Sequence, residues 1–306
     1  MKYQDEKRLM AEAATLYYER RLTQQEVANL MGLSRQTVSK LLGDALAENI
    51  VQIKVHDPLA QCRELEDSIC KKFRIDRCVV CSVSGKNETL RQMMTVKAAS
   101  EYILPLISQG GLKIAVSWGR TVQALIEYLP ACPTHGNTVF PLFGATDNES
   151  ASFSPNELAR SLADKLDAKV KCAWFPYLCQ SNEDCRVLKT LSYYKDHEAL
   201  WRSADLAIVG IGDREILEVF GKSFGYSDKH SQILGDIANH FFDKDGQSVP
   251  LYRNTLSASA EDLRACPCTV AVACGDRKAE AIAGALRTGL VNTLITDEHT
   301  ARAILK

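Results

Sequence analysis

Residues 23–41 read TQQEVANLMGLSRQTVSKL, and their spacing predicts two short helices joined by a tight turn. Thr23 is an N-cap residue, and Val27, Ala28, Leu30 and Met31 recur behind it at helical intervals, so a first helix runs to about Met31. Gly32 then ends it, because a glycine just past the last periodic residue takes the left-handed conformation that turns the chain. Ser34 caps a second helix with an apolar stripe of Val38, Leu41, Leu42, Ala45 and Leu46. Arg35, Gln36, Ser39, Lys40 and Gly43 lie opposite.

The order Ala28, Gly32, Val38, Leu41 matches a helix-turn-helix: a small residue where the helices cross, a glycine in the turn, and two apolar residues pinning the second helix. A preceding helix is expected to turn Leu9, Met10, Ala13, Ala14, Leu16 and Tyr17 inward. The second helix of such a unit enters the major groove of double-stranded DNA. There Arg bonds guanine, Gln bonds adenine, and Ser or Lys reaches phosphate or base edges. The expected DNA-facing set is Thr23, Gln24, Ser34, Arg35, Gln36, Thr37, Ser39 and Lys40. A plain helical hairpin with a solvated face is the alternative, disfavoured by the agreement of all four marks. Residues 1–56 carry eight basic and seven acidic side chains, so one copy gathers few phosphate contacts, and a homo-oligomer, dimer or tetramer, is expected.

The whole chain has 306 residues, 46% hydrophobic and 25% charged, with a formal charge of −1. That length suggests about two domains, and the charge excludes a generally polycationic protein. Neither an N-terminal apolar run nor a stretch of about 18 apolar residues occurs, so neither signal peptide nor membrane span is expected and the protein reads as cytoplasmic. The 11 cysteines are odd in number and scattered. Cys78 and Cys81, like Cys266 and Cys268, lie in apolar runs and read as small buried hydrophobes. With no H-E-x-x-H or comparable spacing among the histidines, no metal, cofactor or catalytic residue is expected.

IVQIKV (50–55) alternates like a short strand, a wing or the edge of one, and His56-Asp57-Pro58 breaks the chain. The expected domains are therefore 1–57 and 58–306. QCRELEDSICKKF carries Cys62, Leu65, Ile69 and Phe73 on one helical stripe, suited either to pairing with its twin or to docking on its own domain. Then seven apolar runs, CVVCSV (78–83), LKIAVSW (112–118), NTVFPLFG (137–144), AKVKCAW (168–174), DLAIVGIG (205–212), CTVAVAC (268–274) and VNTLITD (291–297), alternate with helical stretches. Buried strands joined by helices imply a mostly parallel, doubly wound α/β sheet.

Ligands of such sheets bind beyond the carboxyl ends of the strands. Ser117-Trp118-Gly119-Arg120-Thr121 follows one strand and opens a helix, as a phosphate cradle does: Gly119 admits the anion, Thr121 and free N–H groups donate, and Arg120 adds charge. A plain capped turn is its bland reading. Cys274-Gly275-Asp276-Arg277-Lys278 stands at another strand end, where Lys278 could reach back toward an anion. Gly210-Ile211-Gly212 permits close backbone approach. Gly235-Asp236 is expected to introduce a helix before FFDKDG, with Asp236 accepting sugar hydroxyls or capping that helix. Gly144, closing NTVFPLFG, completes the expected effector-binding set. Together these predict a small anionic, hydroxylated ligand.

The chain resembles the SorC/DeoR-type sugar-responsive bacterial transcriptional regulators. The resemblance rests on LYYERRLTQQEVANLMGLSRQTVSKLL, VSWGRTV, SPNELARSLADKL, ADLAIVGIGD, GDIANHFFDKDG and VAVACGDRKAEAIAGALRTGLVNTLITDEHTARAIL, in order along almost the whole sequence. It implies a small all-α, winged helix-turn-helix domain followed by a Rossmann-like effector domain similar to phosphosugar isomerases, usually tetrameric, with a phosphorylated sugar or sugar acid as inducer. It further implies phosphate contacts from Ser117, Gly119, Arg120, Thr121 and Lys278. Where some relatives place a Schiff-base lysine, this chain has Phe143. Trp174, Phe175 and Tyr177 are expected to reshape the pocket wall. The implied function is a regulator of a carbohydrate-utilisation operon. The alternative is a phosphosugar isomerase or deaminase, with Asp297, Glu298 and His299 as an acid-base cluster; their other reading is the start of the last helix.

Overall fold

The strand ends and the two capped helices take their places in a computed structural model, which describes residues 2–53, 62–83, 85, 87–145, 154–214, 231–251 and 254–306. The chain divides into two units, residues 1–58 and 59–306. The expected break at Asp57-Pro58 lies outside the described residues.

The first unit holds α1 (Lys2–Ala14), a π-helical turn (Thr15–Glu19), α2 (Gln24–Met31) and α3 (Arg35–Ala47). Thr23 and Glu26 form a reciprocal capping box: the Thr23 side chain accepts from the Glu26 N–H, and the Thr23 N–H donates to the Glu26 carboxylate at 2.8 Å. The Thr23 N–H and the Thr23 hydroxyl, both donating to it, hold the Glu26 carboxyl below the usual carboxylate range. Gly32 is left-handed at φ 66°, and Ser34 accepts from the Thr37 N–H at 3.1 Å to start α3. Ala13, Ala14, Val27, Ala28, Val38 and Leu42 form the core.

Three residues expected inward are not. Leu9 is 40% exposed, Leu30 67% and Leu46 40%. Three short helices enclose only a narrow core, so each contributes one or two residues per turn and its flanking leucines are left outside. Residues 50–53 form no strand. Asn49 is left-handed, and the Ile50 and Val51 N–H groups both bond to the Ala45 carbonyl, at 2.9 and 3.0 Å, closing the end of α3. Lys54 and Val55 of the expected wing lie outside the described residues.

In the second unit each of the seven apolar runs supplies one strand of a single sheet: β1 (Arg77–Cys81), β2 (Lys113–Val116), β3 (Thr138–Pro141), β4 (Lys169–Val170), β5 (Leu206–Gly210), β9 (Cys268–Val272) and β10 (Thr293–Asp297). Their order is β1-β10-β9-β5-β2-β3-β4, and every pairing is parallel. Side chains alternate between two cores. Ile114 and Val116 of β2 join one with α5 (Glu88–Ile107), α6 (Arg120–Tyr128) and α7 (Pro155–Leu166), whereas Ala115 joins the other. That second core includes Ile69 of α4 (Arg63–Phe73) and Trp201 of α9 (Ser192–Arg202), which follows α8 (Asn182–Thr190). It also takes Leu263 of α10 (Ala260–Ala265), Ile282 of α11 (Ala279–Arg287) and Ile304 of α12 (Glu298–Leu305). Thus α4 docks on its own unit, with the Lys72 ammonium donating to the Ile304 and Leu305 carbonyls at 3.0 and 3.1 Å.

From β2 the chain winds out through β3 to β4, then returns to β5 on the other side of β2 and winds the opposite way. The strand order therefore reverses between β2 and β5, and in sheets of this kind the crevice that takes ligands lies beyond the carboxyl ends at such a reversal. Gly235-Asp236 introduces no helix. A small antiparallel sheet stands there, formed by β6 (Gly212–Asp213), β7 (Gly235–Ile237) and β8 (His240–Phe242). Ala238 and Asn239 both have positive φ, 46° and 68°, the two-residue turn that matches strand twist, and it outweighs the glycine-aspartate start signal. Among the described residues no helix is long and apolar enough to cross a membrane.

Candidate functional site

Two sites take shape, one in each unit. On α3 the apolar stripe is narrow: Val38, Leu42 and Ala45 are buried, while Arg35, Gln36, Thr37, Ser39 and Lys40 are all exposed. Thr23 and Ser34 are exposed too, and Gln24 is half-buried. The hydroxyls of Thr23, Ser34 and Thr37 serve the helix starts, since Thr23 bonds Glu26 at 2.8 Å and Ser34 bonds Thr37 at 2.8 Å. Arg35, Gln36, Ser39 and Lys40 therefore carry the outward chemistry of the helix, a donor-rich face that ends at half-buried Asp44, one turn beyond Lys40.

The second site lies at the reversal between β2 and β5. Ser117 extends β2, its N–H donating to the Ile208 carbonyl at 2.9 Å and its buried hydroxyl to the Trp118 carbonyl at 3.3 Å. Gly119 follows at φ 121°, ψ 155°, with no atom within 4 Å of where a Cβ would stand. The backbone conformation, and not crowding, requires glycine there. Among the described residues no side chain caps α6, so the N–H groups of its first turn are left without a side-chain acceptor at the positive end of the helix dipole, just beyond the end of β2. Thr121 is half-buried in that turn, and Arg120 is exposed.

Across the crevice, a Cβ on Gly210 would lie 3.8 Å from Val122 Cγ2 and 4.0 Å from the Trp118 carbonyl, so the β2 and β5 ends abut without clash. Lys278, half-buried at the end of a 3-10 turn (Asp276–Lys278), donates from Nζ to the Ile211 carbonyl at 3.0 Å. Gly212 pairs with Asp236 in the small sheet. Burial pushes the Asp236 carboxyl up to about 6, a rise opposed by the Asn239 N–H and by the Lys278 charge. Ser117, Gly119, Thr121, Gly210, Gly212, Asp236 and Lys278 thus gather around one strand end. They offer hydrogen-bond donors and a cation on one side and a buried carboxyl on the other.

Gly144 answers a different need, because a Cβ there would come within 2.5 Å of the Pro176 backbone and 2.7 Å of the Phe175 carbonyl. Phe143 is buried and meets Trp118 and Tyr177 edge-on. Phe175 and Tyr177 are likewise buried in the core, whereas Trp174 is 70% exposed with the Arg160 guanidinium 5.6 Å from its ring. Cys78, Cys81 and Cys266 are buried and Cys268 is half-buried, and burial raises the Cys78 and Cys81 thiols, Cys81 to about 11. Asp297, Glu298 and His299 form no acid-base cluster. Asp297 is fully buried and caps α12 through the His299 and Thr300 N–H groups, and Glu298 accepts from Arg302 at 2.6 Å and Ser82 at 3.1 Å. Sequence reasoning passed over Arg91, a buried cation on α5 that bonds Asp276 beside Lys278.

The chain has clear relatives. The family described as "Putative sugar-binding domain" matches residues 57–306, and the one described as "Sigma-70, region 4" matches residues 12–48. The sorbitol operon regulator of Klebsiella pneumoniae is 29% identical, aligned over 100% of both chains. The deoxyribonucleoside regulator of Bacillus subtilis is 27% identical over 98% of each. The crystal structure of the full-length Klebsiella sorbitol operon regulator SorC superposes with a TM-score of 0.73, covering 99% of this chain and 100% of that one. These relatives are transcriptional regulators, not enzymes, and the match across the whole sheet unit decides the assignment: the chain belongs to the SorC/DeoR-type family of sugar-binding transcriptional regulators.

Proposed function

We propose that residues 1–57 bind double-stranded operator DNA and that residues 58–306 bind a small phosphorylated sugar or polyol which changes that binding. In this reading α3 lies in the major groove, with Arg35 and Gln36 reading base edges and Ser39 and Lys40 positioned for bases or phosphate. Thr23, Gln24, Ser34 and Thr37 sit at the helix starts, where N–H groups and hydroxyls meet backbone phosphates. The chain acts in the cytoplasm as a homo-oligomer, because eight basic against seven acidic side chains in residues 1–56 leave one copy a weak electrostatic hold on DNA.

The observation that carries the effector half is the meeting of an uncapped helix start, Lys278 and buried Asp236 at the reversal of strand order. A phosphate fits the first two, through Ser117, Gly119, Arg120, Thr121 and Lys278. Sugar hydroxyls fit the carboxyl, with Gly210 and Gly212 leaving room for the ligand. Relatives named for sorbitol, erythritol and deoxyribonucleosides favour a sugar or polyol skeleton. The effector works by binding one arrangement of the oligomer better than another, since a ligand indifferent to both would shift nothing. A thermal-shift screen of sugars, polyols and their phosphates tests the reading: a phosphorylated member raises the midpoint and its unphosphorylated parent does so far less. Equal shifts from both would remove the phosphate from the account.

A further inference from the structure

Among the described residues of the larger unit, Arg91 is the one lysine or arginine that is buried, at 4% exposure. It projects from the first turn of α5, and its Nη1 donates to Asp276 Oδ1 at 2.7 Å and lies 3.6 Å from Asp297 Oδ1. The turn Gly275–Lys278 is tied to this guanidinium twice. Asp276, its second residue, bonds Arg91 directly. Gly275, its first, donates its N–H at 2.8 Å to the Thr300 hydroxyl, and that hydroxyl donates in turn to Asp297, the other partner of Arg91. Gly275 has φ 116° and accepts from the Lys278 N–H at 3.0 Å, so the conformation held at its first two residues sets where Lys278 begins.

Burying a guanidinium is costly, and an apolar contact would join α5 to the sheet more cheaply. The arrangement is accounted for by what stands next to it. Asp276 and Asp297 put two carboxylates beside a turn whose lysine faces an anion, and uncompensated they would repel that anion. Arg91 offsets one of these two charges, and the guanidinium beside Asp276 holds that carboxyl below the usual carboxylate range.

We propose that Arg91 is a positioning residue of the effector site: through Asp276 and the Asp297–Thr300 pair it fixes the Gly275–Lys278 turn and so aims the Lys278 ammonium into the crevice. The inference rests on the reading that Lys278 holds the effector's anion.

The test uses the full chain and inorganic phosphate as probe, titrated at constant ionic strength against chloride. Asp276→Ala, whose side chain is mostly exposed and whose loss leaves Arg91 paired with Asp297, is expected to weaken phosphate binding by about tenfold. Arg91→Met is expected to lose the same factor and Arg91→Lys to recover part of it. The double variant Asp276→Ala, Lys278→Ala should bind no more weakly than Lys278→Ala alone, because the tie acts only through the lysine. A purely structural Arg91 would lower the melting midpoint and leave phosphate affinity at the wild-type value in Asp276→Ala, which would overturn the proposal. So would full additivity in the double variant. A wild-type chain that ignores phosphate would instead remove the anion site itself, and this inference with it.

Discussion

The ammonium of Lys278 lies 3.0 Å from the carbonyl oxygen of Ile211, which brings a side chain from after β9 onto the end of β5, where the order of strands reverses. A backbone carbonyl is a weak partner for a cation beside an uncapped helix start, and an arriving phosphate offers a better one. Lys278→Ala combined with Thr121→Ala should therefore weaken binding of a phosphorylated effector by roughly 10- to 100-fold. Isothermal titration reads this directly. Operator affinity of the ligand-free protein should stay within about twofold of wild type. Loss of both activities together would indicate a misfolded variant, and loss of neither would remove these residues from the site.

The opposite pair of substitutions should separate the functions the other way. Arg35→Ala and Lys40→Ala remove exposed side chains from α3 and leave its buried stripe untouched. Each should cost roughly 1–3 kcal/mol of operator binding, Arg35 relaxing base preference and Lys40 lowering the salt slope. Effector titrations should be unchanged. Fluorescence anisotropy at several salt concentrations distinguishes the two roles.

Asp236 gives the chain a pH dependence of stability with a definite sign. Burial raises its carboxyl to about 6 in the fold, above the ordinary carboxylate value. A group whose folded value lies above its unfolded one favours the folded state at acid pH. That contribution, at most about 3 kcal/mol, fades as pH rises from about 4 to 6. The melting midpoint of the ligand-free protein should fall across this window, and Asp236→Asn should flatten the profile.

Binding of sugar hydroxyls to the charged carboxylate runs the other way, so effector affinity should climb between about pH 5 and 7. Because a phosphate monoester itself titrates near pH 6, the Asp236→Asn protein is the reference. A profile identical in both proteins would exclude Asp236 from the pocket.

Gly32 isolates the strain of the helix turn. It sits at φ 66° with no atom within 4 Å of where a Cβ would stand, so Gly32→Ala meets no clash and should destabilise the first unit by only about 1 kcal/mol. Ala28→Leu, at the almost fully buried helix crossing, should cost roughly 1–3 kcal/mol more and reduce operator binding. Thermal unfolding followed by circular dichroism ranks the two.

How far this was legible depends on whether the signal was local. Thr23, Gly32 and Ser34 act on their own chain neighbours, and each takes the expected role. The seven apolar runs became seven parallel strands because a buried strand announces itself by composition alone. The hairpin at 235–242 was not legible: its turn is Ala238-Asn239, without the glycine that usually marks two residues of positive φ. Residues 50–53 alternate like a strand but have no partner strand among the described residues, and the Ile50 and Val51 N–H groups close a helix instead. Leu9 and Leu30 match a helical stripe that a three-helix core is too small to cover. Arg91 was beyond reach, since its partner Asp276 lies 185 residues away along the chain. The packing need at Gly144, where a Cβ would meet the Phe175–Pro176 backbone, comes from residues more than 30 positions away and leaves no local mark.

The most direct test of the division of labour is an operator titration. A labelled duplex from the DNA flanking the chain's own coding sequence is bound by the full protein, and sugar phosphates are then added one at a time. The account predicts that at least one phosphorylated sugar or polyol changes the duplex affinity by about tenfold or more, that Thr121→Ala with Lys278→Ala abolishes the change, and that Arg35→Ala with Lys40→Ala abolishes the binding itself. Duplex binding unaltered by the Arg35 and Lys40 substitutions, or an effector response that survives loss of Lys278 and Thr121, would contradict it.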